Sequence, residues 1–251
     1  MKITIGKKLI RGLLMIAVTF AFSSCLGESE SIVSYTDYAV VDYRTDINEW
    51  VINTTNSIFK IPNIGLEVGD CIYVQYTINF NSPENLSPKD FYTATEVKYE
   101  LIRQTKTILV DPSNDLIDEY NDSISMIYSL IASPFFKGRA FVGTTHPKDG
   151  YFRLELLCHP DSVENGVPTI FVKTKKSDDP SGKASSSTLE SFDLNPLLSV
   201  YGRDTTYVDY YNNEYDCRYV LLNLKYQSGL KGGLPVYKSI QGNPVRFEYV
   251  K

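Results

Sequence analysis

Along much of the chain apolar and polar residues alternate one by one, the period of a strand whose two faces meet different surroundings. The cleanest case is 71–80 (CIYVQYTINF). Ile72, Val74, Tyr76, Ile78 and Phe80 share one face there, and Cys71, Tyr73, Gln75, Thr77 and Asn79 share the other. Such a period-two run, rich in β-branched and aromatic side chains, predicts a half-buried strand. Segment 151–158 repeats the pattern, with Phe152, Leu154, Leu156 and Cys158 inward and Arg153 and Glu155 toward water. Further strands are predicted near 35–43, 97–102, 105–110, 124–129, 168–174, 218–226 and 245–250. Turn-forming residues punctuate them at Asn81-Ser82-Pro83, Asp111-Pro112, His146-Pro147-Lys148-Asp149-Gly150, Asn212-Asn213 and Gly232-Gly233.

Helical periodicity is scarce. Segment 112–120 and the stretch Leu189–Val200 each have room for a short helix, with Pro196 interrupting the second. Many short strands with frequent turns predict an all-β protein of barrels or sandwiches. Residues 177–188 (SDDPSGKASSST) are almost free of apolar side chains and read as a surface loop.

The N-terminus has a different pattern. Lys2, Lys7, Lys8 and Arg11 precede an apolar run from Gly12 to Phe22, and then come Ser23, Ser24 and Cys25. A basic start, a short apolar segment and small residues are the parts of a secretory signal peptide. The run is well short of the roughly 18 residues needed to span a bilayer. Phe22-Ser23-Ser24-Cys25 resembles the lipobox of bacterial lipoproteins. That resemblance implies cleavage after residue 24, lipidation of Cys25 and a polar tether over 25–34.

Loss of the leader removes four of the 25 Lys and Arg, leaving 21 against 30 acids and a balance of −9. That balance argues against nucleic acid, which demands a basic footprint. It also leaves membrane affinity to the acyl chains rather than to attraction for anionic lipid. With Cys25 acylated, Cys71, Cys158 and Cys217 remain, enough for one disulfide at most. Buried free thiols are the favoured reading, and Cys158–Cys217 is the favoured pairing if a bridge forms.

Chemistry-bearing motifs are few. His146 and His159 each precede proline in an expected turn, with Asp149 and Asp161 nearby, and two histidines fall short of a catalytic metal set. Ser181-Gly182-Lys183 lacks the remaining features of a phosphate-binding loop, since Ser177 and Ala184 stand where a glycine and a Ser/Thr are required. No catalytic residue, cofactor or metal is therefore expected. The densest aromatic cluster is Tyr207, Tyr210, Tyr211, Tyr215 and Tyr219, around an expected hairpin turn at Asn212-Asn213. Cross-strand pairing is the favoured account of it. Tyr207, Tyr210, Tyr211 and Tyr215 are also the best candidates for a binding surface, because tyrosine offers a large amphipathic contact. Ser123, Ser162 and Thr205 each follow an aspartate in a pattern similar to the O-glycosylation acceptor of Bacteroides-type bacteria.

Taken in order, several segments carry a resemblance to the NigD-like lipoproteins of Bacteroides-type bacteria. They are the lipobox; the strand 71–80 after Gly69-Asp70; Thr105 to Val110; Tyr151 to Leu156; and Leu189 to Leu194. The resemblance implies an OB-like β-barrel over 35–134 followed by an antiparallel β-sandwich over 135–251. It brings no catalytic residues, and the family name implies a link to bacteriocin immunity. The leading expectation is a non-enzymatic, acyl-anchored outer-membrane lipoprotein, facing the periplasm or the cell exterior, that binds a protein or a glycan. The alternatives are a toxin-immunity protein and a structural subunit of a surface fibre.

Overall fold

A computed structural model describes residues 31–55, 57–86, 91–109, 122–177, 184–209 and 212–250. The leader, Cys25, most of the tether, segment 112–120, the centre of the loop at 177–188, and Tyr210 and Tyr211 lie outside those residues.

The first six strands are β1 (Ile32–Arg44), β2 (Glu49–Thr54), β3 (Ile58–Lys60), β4 (Cys71–Asn79), β5 (Tyr92–Thr93) and β6 (Thr95–Leu101). They form one sheet in the order β5-β3-β2-β1-β4-β6, curled into a half-barrel. The inward face of β4 is the one the alternation predicts. Ile72, Val74, Tyr76 and Ile78 are buried with Ala39, Val41 and Ile52, and the Tyr76 ring lies 5.1 Å from Phe59. Asp70 sets the entry to β4: its carboxylate accepts the Glu67 N–H at 2.7 Å, and its carbonyl accepts the Val41 N–H at 2.8 Å. The preceding Gly69 has φ +93°, a conformation that L side chains rarely adopt.

The remaining strands are β7 (Gln104–Lys106), β8 (Ile108–Leu109), β9 (Met126–Ala132), β10 (Arg139–Gly150), β11 (Phe152–Glu164), β12 (Val167–Lys176), β13 (Ser185–Asp193), β14 (Arg203–Val208), β15 (Glu214–Lys231), β16 (Leu234–Ser239) and β17 (Val245–Val250). One sheet has the order β7-β13-β10-β9 and the other β14-β15-β12-β11-β8, with β16 and β17 also pairing with β15. Ala140, Val142 and Phe192 of the first meet Leu154, Leu156, Ile170, Val172, Leu222 and Leu224 of the second in a common core. Antiparallel pairing dominates, but β7–β13, β8–β11 and β12–β15 run parallel. From Gln104 onward the strands pair only within these two sheets. Strand pairing therefore changes hands between Leu101 and Gln104.

Several local expectations are corrected. Residues 189–193 belong to β13, and the helix α1 covers Asn195–Tyr201 with Pro196 in its first turn. Proline costs little there, because the first-turn N–H groups have no intrahelical partner. His146-Pro147 and His159-Pro160 lie inside β10 and β11, not in turns. Both fall where the ladder slips register, between Thr145 and Gly150 and between Cys158 and Val163, and a bulge tolerates the N–H that proline lacks. Arg153 and Glu155 are half-buried rather than open to water. Lys173 stands opposite Glu155 in register and is only 1% exposed, so the outer face of these strands is covered too.

The half-barrel and the sandwich meet through a third cluster, made of Val40, Cys71, Ile102, Phe136 and Phe141. The turn Ser133–Gly138 is its keystone. Ser133 Oγ donates to the Thr55 carbonyl in the half-barrel at 2.8 Å. On the sandwich side, the Val250 N–H donates to the Pro134 carbonyl at 2.9 Å, and the Leu194 N–H donates to the Gly138 carbonyl at 2.8 Å. Gly138 has φ +77°, and a Cβ there would stand 2.4 Å from Asn195 Oδ1. Phe136→Ala is expected to cost about 3–5 kcal/mol in urea unfolding, the usual penalty for emptying a buried phenylalanine site. Gly138→Ala is expected to cost more than about 1 kcal/mol in the same assay, because both the backbone and the space oppose it.

Candidate binding cleft at the domain junction

The hairpin of β14 and β15 sets Tyr207 directly opposite Tyr215, with ring centroids 6.2 Å apart. Asp209 holds the connection closed. Its carboxylate accepts from the Asn213 N–H at 2.8 Å, the Asn213 amide at 2.9 Å and the Tyr215 hydroxyl at 3.2 Å. Asn212 takes the left-handed conformation at φ 62°, which asparagine tolerates better than most residues. Phe135 then stands edge-on to both tyrosines, at 5.9 Å from Tyr207 and 5.8 Å from Tyr215. Burial pushes both phenols up, and the Asp209 charge adds to this at each. The favoured cross-strand pairing is present, and the turn adds a third ring.

Phe135 and Tyr215 of that group, with Tyr207 behind them, form one wall of a cleft of about 400 Å³, a size that suits a small ligand or the end of a larger one. Arg44, Asn53 and Ile58 line it from the half-barrel, Pro134, Phe135 and Lys137 from the keystone turn, and Tyr215 and Val250 from the sandwich. Arg44 is held in a two-pronged pair with Asp46, at 2.9 and 2.7 Å. Lys137 Nζ lies 3.2 Å from Asp42. The Asn53 amide donates to the Val40 carbonyl at 3.3 Å. The cleft thus presents two rings, one amide and two cations with acids beside them. Such a lining is built for contact and hydrogen bonding.

The other candidate residues are dispersed. His146 is buried, stacked on Phe152 with ring centroids 3.8 Å apart. Its nitrogens lie 3.1 Å from Thr144 Oγ1 and 3.4 Å from the Ser123 carbonyl. Burial pulls its pKa down despite the Ser123 carbonyl and the nearby Asp122, which both act to raise it. The backbone of His159 lies in β11, and its side chain is outside the described set. Ser123, Ser162 and Thr205 are all half-buried; Ser162 lies in β11, and Thr205 pairs with Cys217 inside the β14–β15 ladder. Cys71, Cys158 and Cys217 are buried free thiols. Burial pushes the Cys158 thiol up to about 11, which leaves it little thiolate character at neutral pH. Among the described residues no cluster of three or more His, Cys, Asp or Glu is placed to hold a metal ion.

One buried acid escapes the sequence reading. Glu190 is 1% exposed, accepts the Thr105 hydroxyl at 2.7 Å and the Leu154 N–H at 3.1 Å, and lies 3.8 Å from Arg103. It therefore ties the segment leaving the half-barrel to both sheets of the sandwich. The signal is in the sequence, since Phe192 and Leu194 are inward and the strand period puts Glu190 on the same face.

Fold and site together define a two-domain β protein with a ligand-sized cleft at the junction. Residues 29–99 match the family described as Lipoprotein OB domain, a match that spans the half-barrel through most of β6. Among solved structures, an uncharacterized protein from Parabacteroides merdae is similar at 14% identity and TM-score 0.60, over 86% of this chain and 98% of its own. A DUF1344 protein of unknown function from Bacteroides vulgatus is similar at 14% identity and TM-score 0.51, over 85% and 94%. A NigD-like immunity protein from Bacteroides caccae aligns at 13% identity and TM-score 0.48, over 86% and 97%. At such identities the likeness is one of fold. No curated protein sequence matches the chain. The resemblance read from the sequence is supported as far as the lipoprotein OB match over residues 29–99.

His146 sets a pH dependence. Its folded pKa lies below the ordinary 6.5, so the unfolded chain takes up a proton that the buried ring refuses. Its contribution to stability is complete above about pH 6.5 and is lost as the pH falls through the lowered folded value. Glu190 acts in the opposite sense. Burial holds its carboxyl above 4.5, so its contribution is complete below that value and is lost as the pH rises through the folded one. Urea midpoints at about pH 7.5 and about pH 5 are expected to show a smaller acid loss in His146→Gln than in the native protein. An unchanged slope would remove His146 as its source.

Proposed function

We propose that the chain is an acyl-anchored lipoprotein of the outer membrane, and that it works as a non-catalytic binding module for a protein or a glycan of the cell envelope. In this reading residues 1–24 are removed, Cys25 carries the lipid, and 25–34 is the tether. The lipoprotein OB domain supports the anchor, because residues 29–99 lie beyond the lipobox that first suggested it. The observation that carries the binding role is the junction cleft. Its lining comes from three separate parts of the chain, and rings converge with hydrogen-bonding side chains in a space of ligand size. The fold alone would not fix the role; the cleft is what gives it content.

Two measurements test this reading. Cys25→Ala is expected to abolish labelling by a radioactive fatty acid and to release the protein from the membrane fraction; unchanged labelling would refute the anchor. A photocrosslinking amino acid placed at Lys137, on the cleft, is expected to give a discrete adduct on intact cells. The same group at Lys238, on exposed β16, is expected to give none. Equal yields at the two positions would remove the cleft as the contact.

A further inference from the structure

A second group of tyrosines stands farther along the same outer face of the half-barrel sheet, on β1 and β4, and none of the cleft-lining residues belongs to it. Strand register fixes this face row by row. Val40 and Cys71 pair first and are covered by the sandwich. The next row on the same face is Tyr38, Tyr73 and Glu100, and the one after it is Thr36, Gln75 and Lys98. Tyr38 and Tyr73 stand 5.2 Å apart, and Tyr38 also touches Phe141 of the sandwich at 5.2 Å. The domain contact therefore continues without a break into an exposed sheet face, on which Tyr73 is 42% exposed.

The sandwich adds a ring to the same rim. Between Gly143 and Thr144 the β9–β10 ladder slips, so that Ser129 and Ile127 are paired and Tyr128 is the extra residue. A bulge of this kind re-aims a side chain. The Tyr128 ring lies over Gly143, where a Cβ would come within 2.5 Å of it, and it remains 47% exposed. Its hydroxyl is near enough to Tyr38 to help hold that phenol above its ordinary value, after burial itself. One glycine in a strand and one bulge opposite it thus place Tyr128 beside the Tyr38–Tyr73 pair.

We propose that Tyr73, Tyr38 and Tyr128 form a platform for a neutral glycan, with exposed Gln75, Glu100 and Lys98 meeting its hydroxyl groups. A half-exposed ring with a polar tip suits the apolar face and hydroxyl edge of a pyranose. The charges favour a neutral partner: Glu100 and Lys98 are one acid and one base on adjacent rows, so these rows carry no net charge of their own.

The test is affinity electrophoresis of the lipid-free protein through gels containing soluble starch, galactomannan, xyloglucan or laminarin in turn. At least one polymer is expected to retard the native protein. Tyr73→Ala and Tyr128→Ala are expected to weaken that binding by about three- to tenfold, the scale of losing one stacked ring. Tyr73→Trp is expected to keep it. Gly143→Ala leaves every ring in the chain but drives Tyr128 from its place, and is expected to match Tyr128→Ala with little change in the thermal midpoint. No retardation in any gel, or equal retardation of native protein and alanine variants, would overturn the proposal. A protein partner lost in the same variants without any glycan binding would do so too, and would make the face a protein interface. A cleft that binds nothing leaves this proposal standing, because the two share no residue.

Discussion

The structure depends on one wedge. Phe136 enters the contact between half-barrel and sandwich fully buried, against Val40 and Cys71 on one side and Phe141 on the other. It is held there by a six-residue turn whose polar groups are anchored to both bodies. Apolar burial supplies attraction without direction. The hydrogen bonds of Ser133, Pro134 and Gly138 supply the direction, and they set where Phe135 points. Both candidate surfaces follow from that placement. On one flank Phe135 and Tyr215 wall the cleft; on the other Phe141 supports Tyr38.

Charge is buried with equal economy. Glu190 sits inside the sandwich, where an unpaired carboxylate would be costly, but a hydroxyl, a backbone N–H and a guanidinium surround it. The three come from the segment joining the domains and from the facing sheet, so one acid fastens the start of the sandwich to its interior. His146 is the uncharged counterpart, stacked and hydrogen-bonded under the outer end of β10.

Much of the all-β architecture is legible in the sequence, and the reasons for the rest are physical. Alternation announces β4 because the half-barrel buries one of its faces along the whole strand. It is silent for β2, where Val51, Ile52, Asn53 and Thr54 are all buried. It is silent again over much of β10, where both faces are covered. Cys71 reads as part of a polar face and is fully buried, because the second domain covers that end of β4. The tyrosine hairpin is legible from composition and its turn residues. Its third ring is not, because Phe135 lies far from it in sequence and joins it only through the keystone. The Tyr128 bulge leaves no local mark, since the slip in register belongs to a pair of strands rather than to either one.

The last strand gives this arrangement an order in time. The Val250 N–H, at the end of β17, closes onto the Pro134 carbonyl in the middle of the keystone, and Val250 itself lines the cleft. A chain delivered from its N-terminus can curl the half-barrel early, since those strands end at Leu101. It cannot close the Val250–Pro134 contact until β17 arrives. The cleft thus waits on β17: without that strand the half-barrel core and the Phe136 cluster are complete, and the Val250 side of the cleft is missing.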